Sequence, residues 1–315
     1  MSAAILRRTT VFVLSVFVAS IVVFAFMTVL PGDPAQVALG INATPELLAR
    51  TRHDLGLDRG LLTQYLSWLG GVVHGDFGRS AVTGEEIGPQ LLDRLGVTLW
   101  LVGAGMLVAV VLALPLGTLA ATWHRRPAGT VLSGLSQLGV AVPAFLAGVL
   151  LVQVFAVRLR WLPSGGWTPP DEDMGGFLRG LILPALSLGL VQAAVLTRYV
   201  RSAVLDTLGE DYLRTARSKG LRPYPALIRH GLRNASVPVV TVLGLQLATL
   251  LIGAVVVERV FVLPGLGSML LDAVASRDLL AVQGIVLILV IAVLLVNFVV
   301  DLLYVVIDPR LRVSR

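Results

Sequence analysis

The sequence has little charge and no cysteine. Of its 315 residues, 14% are charged and 56% are hydrophobic, whereas soluble domains carry about 25% charged residues. This composition does not fit a water-soluble domain. The absence of cysteine excludes a disulfide framework, a thiolate metal site and a cysteine nucleophile.

The sequence also lacks the short motifs of ATP binding and hydrolysis. It has no G-x-x-x-x-G-K-[ST] phosphate loop, no H-E-x-x-H zinc motif and no G-x-S-x-G nucleophile elbow. Its histidines are dispersed, at His53, His74, His124 and His230. We therefore predict that this chain is no enzyme and holds no metal or cofactor of its own.

Long uncharged or nearly uncharged runs dominate what is present. A helix of about 20 apolar residues crosses a bilayer core, and six runs of suitable length occur: Thr9–Leu30, Val97–Trp123, Pro127–Val157, Gly180–Thr197, Asn234–Val257 and Leu279–Val300. The predicted fold class is an all-α polytopic membrane protein with six transmembrane helices. The first run, 22 residues long, is interpreted as an uncleaved span. The alternative, a signal peptide, has an apolar core of roughly 7–15 residues.

The middle of each span contains no ionisable residue, which disfavours a carrier driven by proton coupling. Three ionisable residues near span ends, Arg198, Glu258 and Asp301, are expected to reach the membrane interface. Polar amides remain inside the spans, and each either lines an aqueous path or forms an interhelical hydrogen bond. These are Gln137, Gln153, Gln192, Gln246, Gln283 and Asn297. We take Gln192, Gln246 and Asn297 as the candidates for a translocation path.

Residues 31–95 form a long polar insertion between the first two spans. Thr44 followed by Pro45 predicts a helix start, with Thr44 as the cap. Apolar side chains then recur at helical spacing at Leu61, Tyr65, Trp68, Leu69 and Val72. This face either packs on the spans and the membrane interface or receives a soluble partner.

The basic residues predict an orientation. With both termini in the cytoplasm, segments 1–8, 123–130, 198–234 and 306–315 hold 15 of the 25 Lys and Arg residues. The opposite segments are longer, so the density differs roughly 2.5-fold in the direction of the positive-inside rule. The net charge of +6 is therefore explained by topology rather than by nucleic acid binding.

The most basic of these segments is the loop Glu210–Pro238. It contains six Lys and Arg residues, at Arg214, Arg217, Lys219, Arg222, Arg229 and Arg233. Glu210 to Lys219 are expected to form about two and a half helical turns that end at Gly220. Tyr212 and Ala216 would share one side, and the basic residues would face solvent or an acidic partner. From the residues alone, the loop is either a topology anchor or a docking element.

Seven sequence blocks together resemble the dipeptide/oligopeptide/nickel permeases of ABC importers along almost the whole chain. They are LPGDP at Leu30–Pro34, LGLDR at Leu55–Arg59, GDFGRS at Gly75–Ser80, DYLRTARSKGL at Asp211–Leu221, RHGLRNASVPVVT at Arg229–Thr241, PGLG at Pro264–Gly267 and VDLLY to DPR within Val300–Arg310. The basic loop resembles the coupling segment of these permeases. Arg214-Thr215-Ala216 precedes Gly220 at the family spacing, although Arg214 replaces the usual glutamate.

The resemblance implies a type I importer permease fold and a division of the chain. Residues 1–30 would be the first span, 31–94 an extracytoplasmic insertion, 95–309 the permease domain and 310–315 a cytoplasmic tail. The coupling loop would lie at about 205–234. The residues implied to contact an ATPase are Asp211, Tyr212, Arg214, Thr215, Ala216, Lys219 and Gly220.

The resemblance also implies partners and a substrate class. The partners would be a second, similar permease chain, one or two ATPases that bind ATP and Mg, and an extracytoplasmic solute-binding protein. Members transport dipeptides, oligopeptides, nickel chelates and glutathione, and we expect a di- or oligopeptide here. Two other classes are a stand-alone carrier or channel and a membrane enzyme. The sequence shows neither intramembrane charge for the first nor a catalytic constellation for the second.

Overall fold

A computed structural model describes residues 2–30, 32–40, 43–221 and 223–307. Within these residues the chain is helical and contains no strand. The DPR block at 308–310 and the predicted tail 310–315 lie outside the described residues, as does the side chain of Arg217.

The six predicted spans correspond to five continuous helices and one bent pair. The continuous helices are α1 (Ser2–Val29), α5 (Ile87–Thr122), α8 (Met174–Leu208), α11 (Leu232–Val260) and α13 (Leu279–Ile307). Each helix is longer than the apolar run that predicted it. The weakest run, Gly180–Thr197, lies inside the 35-residue α8, because polar turns at both ends continue the same helix.

The bent pair replaces the single span predicted over Pro127–Val157. Helix α6 (Pro127–Ala141) and helix α7 (Ala144–Leu151), which continues as a π-helix over Val152–Arg158, meet at an angle of 99°. The break lies at Val142-Pro143, where Val142 is extended. A proline disfavours the helical conformation in the residue before it, so Pro143 explains the break.

Three short helices form the insertion: α2 (Pro34–Leu39), α3 (Pro45–Asp54) and α4 (Leu61–Val73). The predicted cap is confirmed, because the Thr44 hydroxyl accepts a hydrogen bond from the Leu47 amide. Helix α4 packs on the first span. The Tyr65 and Ser20 hydroxyls are hydrogen-bonded at 2.9 Å, and the Phe24 ring lies 5.4 Å from that of Tyr65. Packing on a span is thus the role that the structure gives to this apolar face.

The described chain divides into two compact units. The first comprises Met1–Arg8, Leu99–Leu263 and Val296–Arg315, and the second comprises Thr9–Thr98 and Pro264–Leu295. In the first unit α8 packs against α6, α7 and α11. Helices α5 and α8 approach closely at Gly117, where a methyl group would lie 2.6 Å from Val200 Cβ. Small residues permit such close approach between membrane helices.

The second unit has its own apolar core, in which Ile87, Leu266 and Ile285 are fully buried. Helix α12 (Leu266–Ala275) follows the predicted glycine turn. Asp278, buried just before α13, accepts hydrogen bonds from the Ser80 hydroxyl and from the Ala81 and Ala281 amides. This carboxylate therefore ties the insertion to the start of the last span.

Glu258 corrects one expectation about the span ends. It was expected to reach the interface, but its side chain is fully buried. Its neighbours Val257 and Phe261 are also fully buried, so this end of α11 lies inside the first unit rather than at its edge. Arg198 is exposed, and Asp301, 58% exposed, lies 3.7 Å from Arg8. These two residues fit the expectation.

Candidate functional site: the coupling loop

The predicted helix of the basic loop is α9 (Asp211–Ser218). It begins after Glu210, whose carbonyl accepts hydrogen bonds from the Leu213 and Arg214 amides. Asp211 lies in the first turn, where a carboxylate is favoured by the helix dipole. Gly220 adopts a φ of 91°, a left-handed conformation that glycine takes at little cost. It therefore ends the helix and turns the chain, as predicted.

Leu213 anchors α9 on the first unit. Its side chain is 1% exposed and belongs to the apolar cluster that includes Val204 and Leu227. Ala216, one turn further, is partly buried against the same cluster. The inward side of α9 therefore carries Leu213 and Ala216, so Ala216, predicted to contact an ATPase, faces the first unit instead. Sequence reasoning passed over Leu213, although a single leucine within a polar and charged helix was the available signal.

The remaining predicted residues form an outward surface. The side chains of Asp211 and Arg214 are 95% and 71% exposed, and they form an i,i+3 ion pair at 3.5 Å. Tyr212 is 37% exposed, and Thr215 and Lys219 are exposed. The structure thus brings six of the seven predicted residues, all except the inward Ala216, onto one solvent-facing strip with its basic end at Lys219.

Behind the loop, the chain continues through helix α10 (Pro223–Ala226) and a π-helical turn at Leu227–Gly231 into α11. Leu227 and Ala226 are buried in the same cluster as Leu213. The close fit is visible at Gly231, where a methyl group would lie 2.8 Å from Leu227 and 3.4 Å from Leu213. Force on α9 would therefore pass through packed side chains into the spans α8 and α11.

The predicted path residues occupy different environments. Gln192 on α8 and Gln246 on α11 are buried, at 7% and 6% exposure, and the Gln246 Nε2 atom has no hydrogen-bond partner among the described residues. Asn297 on α13 is exposed. Of the other amides, Gln137 and Gln153 are exposed and Gln283 is buried. Two of the three candidates are thus buried and one is exposed, and their role in a path stays a prediction.

The described residues contain no cluster of three or more His, Asp or Glu side chains that could hold a metal ion. The closest histidine–carboxylate contact is a surface pair in the insertion, with His53 Nδ1 2.7 Å from Asp58 Oδ2. This hydrogen bond and the neighbouring charge raise the pKa of His53 above its ordinary 6.5. The same bond lowers the pKa of Asp58 below its ordinary 3.8.

Within the described residues, five apolar helices and one bent pair, with an exposed basic helix packed on the first unit through Leu213, define a polytopic membrane protein. Comparison with known families identifies the class. Residues 113–313 match the family described as "Binding-protein-dependent transport system inner membrane component". Residues 1–102 match the family that describes the N-terminal part of the same membrane components. The chain belongs to this family and is an inner-membrane permease of an ABC importer.

The sequence also matches known proteins along nearly its whole length. The chain is 39% identical over 308 residues to the glutathione transport system permease protein GsiC of Escherichia coli strain K12, with 98% of each chain covered. It is 40% identical, at the same coverage, to the protein of that name from Salmonella choleraesuis. The chain is thus similar to permeases of the peptide and nickel group.

Proposed function

We propose that this chain is the membrane-spanning subunit of an ATP-driven importer of small peptides, coupled to a cytoplasmic ATPase through α9. The observation that carries the proposal is the outward strip of α9 on a chain of this family. The names of the relatives support the substrate class, because glutathione is itself a tripeptide. ATP and Mg would be bound by the partner ATPases and not by this chain.

The coupling mechanism follows from the way α9 is held. Tyr212, Arg214 and Lys219 face outward, where a groove with acidic side chains could contact them. Leu213 transmits displacement of the helix to the packed core. ATP shifts the permease between two states only if the ATPase binds α9 with different affinity in its nucleotide states.

A second permease chain would supply the other half of the path. Asn297 supports this arrangement, because its amide is exposed on a largely apolar helix, and a polar amide facing lipid is unfavourable. Contact with a second permease or with water in a central path removes that cost. The unpartnered amide of Gln246 is a second polar group that an aqueous path would satisfy. Gln192, buried on α8, is the third proposed path residue.

The proposed orientation places both termini and the coupling loop in the cytoplasm and the insertion outside, in accordance with the positive-inside bias. The division into a first span, an insertion over 31–94 and a permease domain over 95–309 follows the same topology. Residues 31–94 would help to receive a solute-binding protein. The chain would work in a bacterial or archaeal plasma membrane.

Reconstituted uptake tests the function. The permease is co-purified with its ATPase and second permease subunits and placed in proteoliposomes with the binding protein and a radiolabelled tripeptide. Uptake is expected only with ATP and the complete set of subunits. Equal uptake by this chain alone without ATP would instead identify a stand-alone carrier and contradict the proposal.

A further inference from the structure

The second unit contains a cavity of about 670 Å³ beneath the insertion. Its wall is formed by the end of α1, the loop before α2, the end of α3, the inner side of α4 and the first turn of α13. Sites for small ligands in proteins have volumes of about 300–1,000 Å³. The cavity is therefore large enough for a short peptide.

The floor of this cavity has an unsatisfied donor. Gln283 lines it, is 6% exposed, and its buried Nε2 atom has no hydrogen-bond partner among the described residues. A buried amide without a partner is unfavourable. A ligand carbonyl or carboxylate oxygen at the floor would give this donor its acceptor.

Charges of both signs line the cavity in equal number. Six of the 24 lining residues are charged, three arginines and three aspartates: Arg52, Arg59, Arg79, Asp33, Asp54 and Asp76. Arg52 is already paired with Asp33 at 2.6 Å. Arg59 and Asp54 are exposed and form no ion pair with the described residues. Asp76 also forms no ion pair with the described residues and accepts a hydrogen bond from the Gly78 amide. One cation and two carboxylates without an ion pair therefore remain for a ligand with separated opposite charges.

Aromatic and aliphatic side chains complete the wall. Phe24, Trp68 and Phe77 line the cavity together with Leu279 and Leu280. They provide apolar surface for ligand side chains between the charged rim and the amide at the floor. The combination of both charge signs, an amide donor and apolar wall suits a short peptide with free termini.

The geometry points to this cavity as a binding site for a small zwitterionic peptide, with Gln283 bonding a peptide oxygen and Arg59 and Asp54 bonding the two termini. The site would hold the substrate in the insertion, apart from the path between permease chains. This inference rests on the proposed import of peptides. Equal numbers of aspartates and arginines fit a zwitterion better than an anionic phospholipid, and a zwitterionic phospholipid is the competing occupant that the test separates from a peptide.

Protection of a single cysteine tests the site. The chain has no native cysteine, so a single introduced thiol can be labelled selectively. Ser67→Cys places that thiol in the cavity wall at a solvent-exposed position of α4. The full complex in nanodiscs, without binding protein, is treated with a membrane-impermeant thiol reagent and trialanine. At twice the Kd, occupancy should slow labelling about threefold. Trialanine with blocked termini should not protect.

Two controls separate occupancy from other effects. Thr63→Cys lies on the same helix but does not line the cavity, so its labelling rate should not change with peptide. Gln283→Leu in the Ser67→Cys background should raise the peptide concentration needed for protection about five- to tenfold. The same exchange at the exposed Gln153 should have no effect.

Two results would overturn the proposal. Unchanged labelling of Ser67→Cys at saturating trialanine, in a complex that still imports peptide with ATP, would remove the site and leave the proposed function intact. Slower labelling on addition of phosphatidylethanolamine, with no effect of trialanine, would show that the cavity holds a lipid.

Discussion

At the scale of single residues, a glycine without a side chain allows two helices of the first unit to pack closely. Gly117 lies on α5 where a methyl group would be 2.6 Å from Val200 Cβ and 2.8 Å from the Thr197 carbonyl oxygen. Neither atom is the free end of a flexible side chain. The close crossing of α5 and α8 therefore depends on this position having no Cβ.

Gly117→Ala is expected to destabilise the first unit. Overpacking costs about 1–3 kcal/mol, which corresponds to a fall in Tm of roughly 2–4 °C per kcal/mol for a unit of this size. Gly103→Ala is the matched control, because it lies on the same helix with nothing within 4 Å of the added methyl. Thermal unfolding in nanodiscs measures both. Equal Tm values for the two variants would contradict the close crossing.

The His53–Asp58 pair gives a prediction about pH. The raised pKa of His53 means that its contribution to local stability is full below pH 6.5 and is lost as pH rises through the raised value. The lowered pKa of Asp58 means that its contribution is lost as pH falls through the lowered value. The pair should therefore be strongest between the ordinary values of 3.8 and 6.5.

An NMR titration of the His53 ring checks this directly. Its midpoint should lie above pH 6.5 in the native chain and should fall in Asp58→Asn, because the amide carries no charge. A midpoint that does not change on Asp58→Asn would show that the pair does not form in solution.

At the scale of elements, the sequence predicted the existence of each span but not its ends. Hydropathy marks only the apolar part of a helix. The run at Gly180–Thr197 therefore underestimates the length of α8 by almost half. The bend at Val142-Pro143 was missed as a break because both flanks are apolar, and a proline in a membrane helix permits a bend without requiring one. Caps at Thr44 and the turn at Gly220 were predicted because each depends on local chemistry.

The coupling helix shows where sequence reasoning was incomplete. Its existence, its exposed basic side and its stop followed from local spacing. Its inward-facing residues could not be predicted in this way. Leu213 is buried against residues 9 to 14 positions away, such as Val204 and Leu227, and these contacts depend on tertiary packing. The same limit applies to Gln192, Gln246 and Asn297, whose environments depend on neighbouring helices.

Leu213→Ala is expected to release α9 from the first unit. Truncating a buried leucine costs about 2–5 kcal/mol, and here the loss falls on an eight-residue helix. Trypsin should then cleave faster after Arg214 and Lys219, and ATP-driven uptake should fall. Tyr212→Ala, which removes a partly exposed ring of the same helix, should leave the cleavage rate close to native. Equal cleavage of both variants would contradict the anchoring role.

At the scale of the whole molecule, the chain is an inner-membrane permease of an ABC importer, and we propose that it transmits motion produced by a partner ATPase. In this proposal the ATPase moves α9, and the buried Leu213 passes that movement to the spans of the first unit. Gly220→Val should uncouple this arrangement, because a β-branched residue is strained at a φ of 91°. Insertion into the membrane should persist while ATP-driven uptake is lost, as measured by membrane fractionation and transport. Normal uptake in this variant would contradict the coupling role of the turn.

Cross-linking from Ser218→Cys tests the central claim most directly. Ser218 is exposed at the end of α9, and the chain contains no other thiol. A short bifunctional reagent is added to membranes that contain the full transporter. We expect a covalent adduct with the ATPase, and its yield should differ between nucleotide states. Thr63→Cys, on the insertion, should give no such adduct. Labelling of Ser218→Cys from the outer face, with no adduct to the ATPase, would contradict the account.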